Sequence, residues 1–165
     1  MAMIAGQLHA NTVRVAGTDL SRVATAAALA LEAGLNVWLS PVPIDLAADD
    51  TVAYLAEAAR MAEELRSAPP VGRHGGGLRA EPVLRRLLPG ATLDDRMEAL
   101  TGTAPVPGLH ASFGGLPRKL NAALGASAAA IRDHFQGPVT YASAPWEAVD
   151  WAGAADAGGL GFTVT

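Results

Sequence analysis

The tightest constraint on this chain is a repeated order of elements: a short β-rich run stopped by glycine or proline, a helical stretch, and then both again. Asn11-Thr12-Val13-Arg14-Val15-Ala16-Gly17 reads as a strand closed by glycine, and Thr18 to Ser21 offers side chains that can cap the next helix. Arg22 to Glu32 is alanine-rich, carries Val23, Leu29 and Leu31, and is followed by Gly34 where a left-handed cap belongs. Asn36 to Pro41 is the second strand, ended by a proline that cannot donate to a ladder. Asp49 or Asp50 is the expected cap of a helix running to about Ser67, with Val52, Leu55, Ala59 and Ala62 at helical spacing.

A third long helix is predicted from Leu116 to Phe135, with Pro117 near its first turn and Leu116, Leu120, Leu124, Ile131 and Phe135 along one stripe. Gly125 inside it costs about 1 kcal/mol relative to alanine. Gly137-Pro138 then punctuates, Val139 to Ala142 reads as a third strand, and the aromatic segment Trp146 to Trp151 follows. Strands alternating with helices are the grammar of parallel α/β folds, with right-handed crossovers expected. Two segments break it. Residues 68–88 are a Gly, Arg and Pro mixture without period, placed where the alternation requires a strand, and are expected to be irregular. Residues 152–165 form a tail rich in small residues, in which only the last few can make a strand.

A length of 165 residues and an apolar half suit one globular domain, 1–165, with a real core. The formal charge of -4, with no basic run, argues against nucleic acid as a partner. No cysteine is present, so disulfides and thiolate sites are excluded, and the four histidines are too scattered for a metal site. No cofactor motif stands out. The apolar stretches fall short of the roughly 20 residues that cross a bilayer, and no leader pattern opens the chain, which leaves no membrane partner and a cytoplasmic default.

Thr12 to Gly17 with Asp19, Val37 to Asp45, Leu88-Pro89-Gly90-Ala91, Pro138 to Tyr141, and Trp146-Glu147 with Val149-Asp150-Trp151 together resemble an actinobacterial family of glycoside-hydrolase-like barrels, often labelled abortive infection proteins. The likeness runs in order through most of positions 1 to 67 and 88 to 151, and Trp-Glu-x-Val-Asp-Trp after a strand is its most specific part. The resemblance implies a partial (β/α)8 TIM barrel, about strands two to five: Asn11 to Gly17 as the second strand, Asn36 to Pro43 as the third and Val139 to Ala142 as the fifth. Reacting groups in such barrels lie at the C-terminal strand ends. Arg14, Asp19, Ser40, Asp45, Tyr141, Trp146 and Glu147 would then stand near the mouth as substrate-binding candidates for a carbohydrate.

The resemblance also implies two glutamates, an acid/base just after strand four and a nucleophile after strand seven. Retaining hydrolysis needs the two carboxyls about 5 to 5.5 Å apart. Strand four has no recognisable form here and the chain ends before strand seven, so no catalytic residue is assigned and the expectation is a hydrolase relative without activity. A compensated frameshift accounts for the gap as a hypothesis. With free third bases, the codons of Gly72 to Leu87 read one nucleotide later permit a buried apolar strand ending in Gly-Cys-Glu-Leu, the glutamate arising from the codons of Arg79 and Ala80. The gene's nucleotide sequence decides it: codons that do not give that motif in the shifted frame remove the idea.

Each candidate has a plainer reading. Arg14 either holds a carboxylate in the mouth or faces solvent from a strand, and Asp19 either touches a sugar hydroxyl or caps a helix. Trp146 and Trp151 either stack on a sugar or pack under a loop, Glu147 is an acid or a surface residue, and Trp38 in an apolar strand is expected in the core. The run His74-Gly75-Gly76-Gly77 also matches the oxyanion loop of esterases, which would require a nucleophile elbow; the nearest segment, Gly125-Ala126-Ser127-Ala128-Ala129, falls within the predicted third helix. A non-enzymatic reading stands beside these, a carbohydrate-binding remnant or a pseudogene product. Open sheet edges in a partial barrel predict instability or self-association.

Overall fold

The computed structural model describes residues 2–68, 76–80, 92, 94, 116–141 and 161–162. A five-residue helix α1 (Ala2–Gly6) leads into β1 (Thr12–Gly17), α2 (Leu20–Glu32), β2 (Asn36–Pro41), α3 (Ala48–Ser67), β3 (Gly76–Ala80), α4 (Leu116–Arg132), β4 (Val139–Tyr141) and the two-residue β5 (Gly161–Phe162). The strands form one sheet in chain order, and every neighbouring pair is parallel. No reversal of strand order occurs among them. Helix α2 packs on β1 and β2, α3 on β2 and β3, and the helices lie side by side, α2 against α3 and α3 against α4. The described chain is therefore a mixed α/β fold with an all-parallel sheet and its three long helices in one layer.

Local chemistry accounts for most element boundaries. The Asp19 carboxylate caps α2, accepting from the Ser21 N–H at 2.9 Å and the Arg22 N–H at 3.2 Å, two donors the helix itself leaves unsatisfied. At the other end Gly34 adopts φ 78°, and the N–H groups of Gly34 and Leu35 donate to the Leu31 and Ala30 carbonyls. Glycine suits that left-handed turn, which reverses the chain straight into β2. Helix α3 starts two or three residues earlier than the sequence suggests. Its cap is Ala47, with no side-chain hydrogen bond, so neither Asp49 nor Asp50 caps it; both lie in the first turn, where negative charge favours the helix N-terminus, and Arg66 stands in the last.

The core lies between the sheet and the helix layer. Val37, Leu39, Leu78, Val139 and Tyr141 from the strands meet Val23, Ala27 and Ala30 of α2, Leu55, Ala58, Ala59 and Ala62 of α3, and Leu124, Ala128 and Ile131 of α4. The predicted stripe on α4 holds at Leu124 and Ile131, and Phe135 just beyond it is also buried. Burying each large aliphatic side chain contributes roughly 1.5 to 3 kcal/mol, so this shared layer is what fixes the helices on the sheet.

The segment expected to be irregular contains β3. Gly76 to Ala80 pairs with β2 on one side and β4 on the other, and Leu78 is fully buried beneath the helices. Local propensity gives no strand here; pairing on both sides supplies the ladder hydrogen bonds that stabilise it. The two glycines fit a narrow slot. A Cβ at Gly76 would stand 2.0 Å from the Val37 carbonyl oxygen, and one at Gly77 would stand 2.4 Å from both the Pro138 carbonyl oxygen and the Trp38 ring. In the tail, Gly161–Phe162 pairs with Thr140 and Tyr141. Among the described residues, no helix is long and apolar enough to cross a membrane.

Candidate functional site

Strand side chains alternate between faces, and residues in register across a parallel sheet share a face. Val13 pairs with Val37 and Val15 with Leu39, and Val37 and Leu39 lie in the core, so these four point toward the helices. Arg14 pairs with Trp38 and Ala16 with Ser40, which puts them on the opposite face. Trp38 pairs with Gly77, and Arg79 with Thr140. One surface thus carries Arg14, Trp38 and Gly77 in one row and Ala16, Ser40, Arg79 and Thr140 in the row nearer the C-terminal strand ends. Arg14 is exposed, Trp38 and Arg79 are half-buried, and Ser40 and Thr140 are buried. Each of the two arginines, Ser40 and Thr140 already engages a neighbour.

Trp38 is therefore not a core residue, as its apolar strand had suggested. Its parity sets it with Ser40 rather than with Val37 and Leu39, and its six-membered ring lies across Gly77, which has no side chain to keep it away. Tyr141 is corrected in the other direction. It shares parity with Val139, which pairs with Leu78, and it is buried in the core under the helices, away from the face that holds Arg14. Thr140 faces that surface in its place.

Asp19 acts as the cap of α2. Ser21 also donates its hydroxyl to it at 2.7 Å, and that bond, followed by the Arg22 N–H, holds the carboxyl below its ordinary value. The loop it opens is tied down by α3, whose Tyr54 hydroxyl donates to the Thr18 carbonyl at 2.9 Å, while Val42 N–H donates to the Gly17 carbonyl at 2.9 Å. A cleft of about 320 Å³ lies here, between the end of β1 and the start of α2, with Val15, Val23 and Ala26 as its apolar wall and Thr18, Asp19 and Arg22 among its polar lining. The Asp19 carboxylate already accepts from the Ser21 and Arg22 N–H groups at the start of α2, so those two backbone donors are not open to an anion.

Asp45 follows β2 in a turn with φ 63°, a left-handed conformation that aspartate tolerates better than most residues. It is half-buried and engages a neighbour. Trp146 and Glu147 lie outside the described residues, as do Trp151, His74 and Gly75. Gly76 and Gly77 belong to a strand and not to an oxyanion loop. Ser127 sits inside α4, buried and with no hydrogen-bond partner for its hydroxyl, so the strand-to-helix elbow an esterase requires is not formed there.

Arg79, the position where a shifted reading frame would give glutamate, falls on the same surface as Arg14 and Trp38. Sequence reasoning missed Arg79 and Thr140 because it placed no strand at 76–80 and read Val139 to Ala142 without a facing partner. The alternation within Asn36 to Pro41 was the available signal for Trp38. Among the described residues no group of three His, Asp or Glu side chains gathers as a metal site. No family model and no curated protein matches the sequence.

Proposed function

We propose that this chain corresponds to about strands two to five of a glycoside-hydrolase-like (β/α)8 barrel and that it binds a saccharide on the sheet face away from the helices without hydrolysing it. The observation that carries the reading is the strand order. A parallel sheet running in chain order, with successive helices layered on one face, is the repeat of a (β/α) barrel; an open doubly wound sheet reverses its order at a switch point. On that reading β1 to β4 are the second to fifth strands, β3 takes the place of the strand the sequence left unrecognised, and the face away from the helices lines the barrel interior.

That face suits a sugar. An indole offers a flat apolar plate to the C–H face of a pyranose, and Trp38 is half-buried with the exposed Arg14 beside it, while Ser40 and Thr140 are buried. Hydrolysis needs a facing pair of carboxyls, and at position 79, where the resemblance would set the first, this chain carries arginine. The family label of abortive infection supports no mechanism of its own.

The test is tryptophan fluorescence of the purified chain titrated with a panel of methyl glycosides, run beside a chromogenic aryl-glycoside assay. A saturable response that disappears in Trp38→Phe, with no release of the aryl group above buffer, is the expected outcome. Absence of any saturable response refutes binding. Turnover abolished by replacing a single glutamate refutes the inactive reading.

A further inference from the structure

We draw no further inference here: the strongest candidate, the β1 edge of the described sheet with the partly apolar cleft beside it between the end of β1 and the start of α2, carries nothing because nothing in the structure shows what covers it.

Discussion

Gly77→Ala distinguishes a strand at 76–80 from the irregular segment that the local sequence suggests. In a loop, replacing glycine by alanine restricts the unfolded chain and raises stability by about 0.4 to 1 kcal/mol. Within β3 the sign reverses. The added Cβ would stand 2.4 Å from the Pro138 carbonyl oxygen and from Trp38 Cζ3, and 2.8 Å from Trp38 Cη2. The indole can rotate away, but the Pro138 carbonyl cannot move cheaply, because it accepts the Leu78 N–H at 2.9 Å and thereby joins β3 to β4. Overpacking costs about 1 to 3 kcal/mol and a weakened ladder bond about 1 kcal/mol more. After the gain in the unfolded state is subtracted, a net destabilisation of about 2 kcal/mol is expected. With a urea m-value of about 2 kcal/mol/M, the unfolding midpoint falls by about 1 M. Gly125→Ala supplies the control of opposite sign: that glycine lies inside α4 with nothing within 4 Å of an added Cβ, so the midpoint should rise by about 0.5 M, the equivalent of about 1 kcal/mol. A midpoint unchanged or raised in Gly77→Ala refutes the β3 pairing.

Glu63 accepts from Arg66, Ser67 and the Gln136 N–H; the Arg66 guanidinium, its strongest partner, holds the carboxyl at about 2 against an ordinary 4.5. Its folded value is the lower one, so the stabilisation is complete above about 4.5 and is lost as pH falls toward about 2. Exposure limits it to roughly 1 kcal/mol, and Glu63→Gln should flatten this part of a melting-temperature profile; an unchanged acid limb contradicts the coupling. The hydroxyls of Thr51 and Ser127 are buried without partners, so Ser127→Ala should raise stability by about 1 kcal/mol in denaturant, and a fall of similar size would reveal a partner for the hydroxyl. Asp19→Ala should lower the melting temperature while Asp19→Asn retains most of it; equal loss in both would show that the charge, and not the capping bond, matters. β1 and β5 end the described sheet, so sedimentation velocity should show association that grows with concentration, and a monomer throughout refutes it.

Much of the fold is legible in the sequence because it is set locally. Asp19 followed by an alanine-rich stretch, Gly34 after Glu32, and the prolines at 41 and 138 act through backbone geometry and nearby donors, and the observed α2, β2 and β4 begin and end within about two residues of where those signals put them. The candidate site is less legible. Of its proposed members, Arg14 and Ser40 are brought to one face, Asp19 is a cap, Tyr141 is buried under the helices, and Trp146 and Glu147 lie outside the described residues.

The sequence by itself determined the alternation of β1, α2, β2, α3, α4 and β4, the two ends of α2 and the apolar stripes, since each depends on contacts within a few residues. Only the tertiary structure decided that Gly76 to Ala80 is a strand, and that Trp38 and Arg79 join Arg14 on one face while Tyr141 turns away. A strand without β propensity exists only through hydrogen bonds from neighbours distant in sequence, and the face a side chain takes depends on the register those bonds impose.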